Sequence, residues 1–410
     1  MRNRAVGLRI WALLLGAAFY GVLSGGTLGA EALRFRYNEG ELYRLITEVE
    51  EDVYLNGVFS QHASILNKIA VETLQVKEDA GLLSARFLVS ERASGLSGSF
   101  SLSEEHDSVF WRDASGKFTI EPGYIMPVVR DVPFFPESEL EPGDTWTAQG
   151  EELHDLRGDF YSAPVTVRFP IQVHYTYLRN ETREGKRLAV LAIEYTLFER
   201  FDRFRSSGGR LPVRITGRSE QTYFWDIAAG RPHSYQESFD FIFHLADGQF
   251  IEFEGTSSGR LLESPRLDKE KLAKELEKEL EKQGLEGASV EAEEDGVTIT
   301  LQNIQFPPNS ALLWESEQRK LARIAEILRN YPERDLLVTG HTARFGSEES
   351  SQVLSEQRAR AVGDFLLSLG AVEPLRLITR GMGSREPLAD NSSEEGMRLN
   401  RRVELTILEN

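Results

Sequence analysis

The chain has 410 residues, of which 40% are apolar, and it carries a formal net charge of −18. This length predicts two or three folded units, with enough apolar residues to build a core in each. The negative charge repels nucleic acid and argues against nucleic-acid binding. The chain contains no cysteine, which excludes disulfide bonds and the lipid-modified cysteine of a bacterial lipoprotein.

The first thirty residues have the pattern of a secretory signal peptide. Early arginines precede an apolar run and then small residues: Arg2, Arg4 and Arg9, the run from Ile10 to Leu23, and Gly29, Ala30 and Ala32. The run is about 14 residues long, whereas an uncleaved membrane anchor needs about 20. We therefore predict cleavage near Ala30 or Ala32 and an exported protein of the periplasm, cell wall or outer membrane.

Residues 33–262 alternate apolar and polar side chains with the period of two that is typical of β-strands, for example at Phe239, Phe241 and Phe243. Turn-forming pairs such as Asp247-Gly248 separate the segments. This pattern predicts an antiparallel β-domain of unknown ligand. An outer-membrane β-barrel is the alternative, but charged residues such as Arg203 interrupt the apolar faces that a barrel needs.

Residues 265–410 combine helical and strand patterns. The predicted elements are a helix with Leu267, Leu272, Leu276 and Leu280, a hairpin at Asp295-Gly296, a helix with Leu321, Ile324 and Leu328, the strand Leu336 to Thr339, a helix with Val362, Phe365, Leu366 and Leu369, and the strand Arg402 to Leu408. Ser355 is placed to cap the start of the third helix and Gly370 to end it. This order predicts a C-terminal α/β sandwich, βαβαβ, and an α+β class for the whole chain.

The loops between these elements carry marks that narrow the assignment. In chain order they are Ile304-Gln305-Phe306, Gly340-His341-Thr342 with Gly346, Leu354-Ser355 before Arg358-Ala359, Gly381 and Gly383 with Pro387, Asn391, Ser393 and Gly396, and Asn400-Arg401-Arg402-Val403-Glu404. Each mark is weak alone. In this order and spacing, over residues 297–407, they resemble the OmpA C-terminal-like family.

The resemblance implies non-covalent binding of peptidoglycan through the diamino acid of its stem peptide. In the family, an aspartate after the Gly-His-Thr triplet takes the ammonium of that residue, and an arginine at the helix start takes the carboxylate. This chain keeps the arginine as Arg358 and has Ala343 in place of the aspartate. The predicted ligand residues are Arg358, Thr342, Ala343, Arg401 and Arg402, although paired arginines on an acidic protein are often only salt-bridged.

Two readings of the altered site remain open. In the first, binding survives because Glu348 or Glu349 supplies the anion, or because the ligand is a different diamino acid. In the second, the site is lost, Arg358 pairs with Glu356 or Asp364, and the domain is a scaffold that contacts an envelope protein partner.

The sequence gives little support for catalysis, because the histidines are scattered without a nucleophile or base beside them. The sequence contains no pair of histidines at metal-ligand spacing and no calcium-binding loop, so we expect no metal and no cofactor. The prediction is a non-catalytic envelope protein that tethers to peptidoglycan through residues 265–410.

Overall fold

The computed structural model divides the chain into two compact units. It describes residues 30–93, 98–155, 166–204, 211–263, 266–285, 287–302, 304, 306–307, 310–344 and 346–409. The first unit comprises Met1–Leu88 with Glu105–Glu263, and the second comprises Val89–Glu104 with Ser264–Asn410. The predicted signal peptide, residues 1–30, lies outside the described residues except for Ala30, as does the change of pattern at residues 264 and 265. Within the described residues, no helix is long and apolar enough to cross a membrane.

Long β-strands build the first unit. Strands β1 to β12 are Leu42–Leu55, Val58–Lys77, Ala80–Ala93, Phe100–Arg112, Phe118–Ile120, Val129–Arg130, Thr145–Asp155, Thr166–Arg183, Lys186–Arg200, Pro212–Asp226, Arg231–Leu245 and Phe250–Glu263. Antiparallel pairing runs in the order β2, β1, β12, β11, β10, β9, β8, β7, β6. Along β8, buried and exposed residues alternate, so one face of the sheet forms the core.

Aromatic residues of β11 cover glycines of the two neighbouring strands. Phe241 is paired with Gly217 of β10, and Tyr235 is paired with Gly259 of β12. A Cβ atom built on Gly259 would lie 2.0 Å from Cε1 of Tyr235. The rings therefore occupy space that any larger residue on the neighbouring strand would need.

The second unit contains the helices and the last five strands. These are α1 (Lys269–Lys282), β13 (Ala288–Glu293), β14 (Gly296–Gln302), α2 (Glu315–Leu328), β15 (Leu336–Gly340), α3 (Glu348–Ser368), β16 (Leu377–Gly381), α4 (Glu394–Asn400) and β17 (Arg402–Leu408). The sheet order is β13, β14, β17, β15, β16, with β15 and β16 parallel and the other pairs antiparallel. The apolar faces of α1, α2 and α3 share one core with this sheet.

Residues 89–104 also belong to the second unit. The start of β4 pairs in parallel with β16, so that Ser101 lies opposite Thr379. Asp364 of α3 accepts hydrogen bonds from the backbone N and the Oγ of Ser99, at 2.8 and 2.9 Å. Asp364 therefore forms its hydrogen bonds at this edge of the sheet.

The predicted α+β class, with a C-terminal βαβαβ sandwich, is wrong for the chain as a whole. Strands make up 53% of the described residues and helices 18%, and the described strands form one 17-stranded sheet. The reason is strand length: β2 has 20 residues, against a typical five or six. From residue 269 the order of elements is αββαβαβαβ; the opening helix and the hairpin are as predicted, whereas β16 and α4 are not in the prediction. The protein is mainly β.

The start of α3 also differs from the prediction. The helix begins at Glu348, and Ser347 caps it by accepting a hydrogen bond from the backbone N of Ser350 at 3.2 Å. Ser355, the predicted cap, lies fully buried inside the helix. The predicted end is confirmed, since Gly370 follows the helix with a φ of +61°.

Candidate functional site

Helix α3 places Arg358 in the interior of the second unit. Because the helix starts at Glu348, Arg358 lies in its third turn, where only 9% of the residue is exposed. Its Nε donates a hydrogen bond to the backbone oxygen of Ser310 at 3.2 Å. Its guanidinium carbon lies 4.8 Å from the centroid of the Phe306 ring, at cation–π distance. These contacts fix the plane of the guanidinium.

The contacts of Arg358 do not include a carboxylate of any described residue. Glu356 instead accepts a hydrogen bond from Nε2 of Gln352 at 2.7 Å, and Asp364 bonds to Ser99. The pairing of Arg358 with Glu356 or Asp364, which a lost site would favour, is absent. A buried guanidinium without a counter-charge is costly unless an anion can reach it.

Arg401 contributes a second positive charge near Arg358. Burial and the charge of Arg401 both lower the pKa of Arg358 below its usual value, but an arginine starting from above 12 stays charged at neutral pH. Arg401 itself is about one-third exposed and pairs with Glu394 of α4 at 3.0 Å. The surroundings of Arg358 are therefore electropositive and suit an anionic group.

Arg402 has a different environment from Arg401. It is buried, its Nε donates to Glu404 at 2.7 Å, and its Nη1 donates to the backbone oxygen of Glu386 at 3.0 Å. His341 Nε2 lies 3.1 Å from the same Glu404 carboxylate. Burial opposes ionisation of Glu404, yet His341 and Arg402 together lower its pKa to about 2. Arg402 and His341 thus fit the role of holding β17 in place.

The loop after β15 carries Thr342 and Ala343. The backbone N of Thr342 donates to the oxygen of Gly383 at 2.8 Å, and the backbone N of Gly383 donates to Oγ of Ser355 at 2.9 Å. This chain of bonds ties the loop to α3. Oγ1 of Thr342 is buried and has no hydrogen-bond partner among the described residues, so it could donate to or accept from a ligand.

Ala343 is 7% exposed and presents only a methyl group. The predicted substitute anion Glu348 is exposed and accepts a hydrogen bond from Oγ of Ser384 at 2.7 Å. Glu349 also has an interaction partner. The contacts found for Arg358, with Ser310 and Phe306, include neither acid.

Sequence reasoning missed the partners of Arg358. Phe306 was placed in a family motif without a role, and Ser310 carried no signal because its backbone oxygen, not its side chain, accepts the bond. Helix α4, which supplies Glu394, was read as a loop because it has only seven residues. Among the described residues, no group of three histidine, aspartate or glutamate side chains could hold a metal ion.

Residues 305–401 match the model of the OmpA family. This segment is an OmpA-family domain, and the resemblance seen in the sequence is confirmed; residues 30–304 lie outside the match.

Curated relatives share this segment. A probable lipoprotein, YiaD, of Escherichia coli is 35% identical over 122 residues, which is 30% of this chain and 55% of the relative. The peptidoglycan-binding protein ArfA of Mycobacterium bovis is 36% identical over 104 residues, which is 25% of this chain and 32% of the relative. The chain therefore spans about half or less of each relative. These relatives confirm the predicted localisation as an exported envelope protein.

A solved structure also matches. The cell wall anchor of the T6SS from Pseudomonas aeruginosa is 31% identical and covers 34% of this chain and 99% of its own, with a TM-score of 0.29. A TM-score this low supports no argument about the fold.

Proposed function

We propose that this protein is a non-catalytic tether that binds peptidoglycan non-covalently through its OmpA-family domain. The observation that carries the proposal is the buried guanidinium of Arg358, fixed by Ser310 and Phe306 and unpaired with any described carboxylate. A fixed, planar guanidinium suits bidentate binding of a carboxylate. The relative named as peptidoglycan-binding supports the choice of ligand.

The replacement of the family's aspartate by Ala343 determines which group of the ligand the site binds. With Ala343 in place of an acid and the charge of Arg401 acting on Arg358, the site attracts a carboxylate and lacks the aspartate that takes the ammonium group in the family. We propose that the carboxylate of a stem-peptide diamino acid binds to Arg358 and that Thr342 Oγ1 hydrogen-bonds to the same residue. The ammonium then contributes little, and a non-standard diamino acid is accepted.

Weak single contacts suffice for this role. Peptidoglycan repeats the same stem peptide along each strand, so a protein that dissociates from one stem finds another at high local concentration. The tether therefore needs no tight site.

Co-sedimentation with isolated peptidoglycan sacculi tests the proposal. The protein, expressed without residues 1–30, should sediment with the sacculi, and Arg358→Ala should remain in solution. Arg319→Ala is a matched control, because Arg319 is an exposed arginine of the same unit paired only with Glu315.

The same assay distinguishes a lost site. If the wild-type protein stays in solution while Ala343→Asp sediments, the fold is intact and the native site does not bind peptidoglycan. The second candidate function, a scaffold that contacts an envelope protein, would then replace the tether.

A further inference from the structure

Two apolar side chains are exposed in the loop that leads into α2. Trp314 is 48% exposed and Leu312 is 73% exposed. Leu313, between them, packs against the core of the second unit. Exposure alternates along residues 311–314, so Leu312 and Trp314 both face solvent.

Trp314 lies at a helix N-cap, a position at which other residue types are favoured. It is the N-cap of α2 and makes no side-chain cap hydrogen bond, whereas serine, threonine, aspartate or asparagine would stabilise the helix there. Its backbone oxygen accepts bonds from the N atoms of Glu317 and Gln318, which fixes the backbone. Of the described tryptophans only Trp314 is exposed. A cap residue that neither caps nor packs indicates a role in binding.

This loop is the one that contacts Arg358. Ser310 accepts the hydrogen bond from Arg358, and the backbone N of Leu312 donates to Oγ of Ser310 at 3.1 Å. Trp314 follows Ser310 by four residues, so the two lie at most about 14 Å apart. The exposed pair therefore belongs to the same loop that contacts the proposed carboxylate site.

We propose that Trp314 and Leu312 form a sugar subsite that packs against the glycan strand of peptidoglycan while Arg358 holds the stem peptide. This subsite rests on the proposed function. An indole ring offers a large, rigid apolar face to the C–H face of a sugar ring, and its Nε1 can donate to a sugar hydroxyl. In peptidoglycan the diamino acid is about three residues, or about 10 Å, from the sugar that bears the stem. This length is within the maximum span from Ser310 to Trp314.

Titration calorimetry on the whole protein with two ligands tests the subsite. One ligand is the stem peptide alone, and the other is the same peptide attached to its disaccharide. The wild-type protein should bind the disaccharide peptide roughly three- to tenfold more tightly. Trp314→Ala should bind both ligands with the affinity that the wild type shows for the peptide alone, and Trp314→Phe should keep part of the difference.

Leu388→Ala is the matched control, because Leu388 is another exposed apolar residue of the same unit, and it should bind like the wild type. The subsite is overturned if the disaccharide adds no affinity in the wild type, or if Trp314→Ala keeps the full difference in affinity between the two ligands. It is also overturned if Trp314→Ala weakens binding of the peptide alone as much as binding of the disaccharide peptide. In these cases the peptide still binds and the tether survives. If neither ligand binds, the tether and the subsite fail together.

Discussion

The guanidinium carbon of Arg358 lies 4.8 Å from the centre of the Phe306 ring, while no described carboxylate pairs with that arginine. The ring therefore holds a charge in place without neutralising it. An arginine kept in this way is available to an anion from outside the protein. This relationship, more than the family motifs, is the basis of the proposed ligand site.

The Phe306 ring should matter for binding through Arg358. In Phe306→Leu the apolar contact with the core is largely kept, but the cation–π contact is lost. We expect affinity for sacculi to fall by roughly two- to fivefold, the equivalent of an exposed cation–π contact. Sedimentation at graded sacculus concentrations measures the change. Unaltered affinity would mean that Ser310 and the helix alone orient Arg358.

Glu404 should make the second unit sensitive to acid. Its pKa in the folded protein is about 2, below the value of about 4.3 in an unfolded chain. Its ionised form therefore stabilises the fold above pH 4.5, and this contribution is lost as the pH falls towards 2. Glu404→Gln should lower the free energy of unfolding at pH 7 by up to about 3 kcal/mol, with the difference vanishing at low pH.

Urea unfolding followed by far-UV circular dichroism measures this effect, because all four described α-helices lie in the second unit. Glu326→Gln, at an exposed position of α2, serves as the control. A difference between wild type and Glu404→Gln that does not shrink between pH 5 and pH 2 would show that His341 and Arg402 do not act through the carboxylate charge.

Gly259 should tolerate no side chain. A Cβ atom there would lie 2.0 Å from the Tyr235 ring, and the ring cannot easily move because its hydroxyl bonds to Oγ1 of Thr47 at 2.6 Å. Gly259→Ala should destabilise the first unit by about 1–3 kcal/mol. Gly123→Ala, where nothing lies within 4 Å, should change stability by less than about 0.5 kcal/mol. Equal stability of the two variants, measured by thermal unfolding, would contradict this packing.

Glu237 should weaken the first unit at high pH. The residue is fully buried on β11, and Ser219 donates to its Oε1 at 2.5 Å. Burial raises the pKa of Glu237 well above its usual value, and the charge of Glu152 raises it further, while the bond from Ser219 acts in the opposite direction. The folded protein therefore keeps this proton to a higher pH than the unfolded chain does.

With a raised folded pKa, the stabilisation is complete below about pH 4.3 and declines as the pH rises towards the folded value. Glu237→Gln lacks this titration, so its free energy of unfolding should exceed that of the wild type by an amount that grows from pH 5 to pH 9. Tryptophan fluorescence during urea unfolding reports mainly on the first unit, which contains Trp111, Trp146 and Trp225, whereas the second contains Trp314. A difference that is constant with pH would contradict the prediction.

Local pattern was sufficient for most elements of the second unit. The stripe of Leu272, Leu276 and Leu280 located α1, and Asp295-Gly296 located the β13–β14 hairpin, because each depends on residues close in sequence. The start of α3 is not predicted because its first turn is polar and carries no apolar stripe. The cap at Ser347 becomes visible only when the backbone is known.

Local sequence patterns do not predict which distant segments of the chain pair as strands. No periodicity in residues 89–104 indicates that Ser101 lies opposite Thr379, since the register of a parallel pair depends on the folded sheet. The sequence likewise predicts only part of the site. Arg358 was identified from its motif, whereas its contacts with Ser310 and Phe306 depend on a loop whose course the sequence does not reveal.

The most direct test of the account is titration of the whole protein with two stem peptides that differ only in the side-chain carboxylate of the diamino acid, free in one and amidated in the other. We predict binding of the free acid, no binding of the amide, and no binding of either peptide by Arg358→Ala. If the amide binds as tightly as the free acid, Arg358 is not a carboxylate receptor and the proposed tether is wrong.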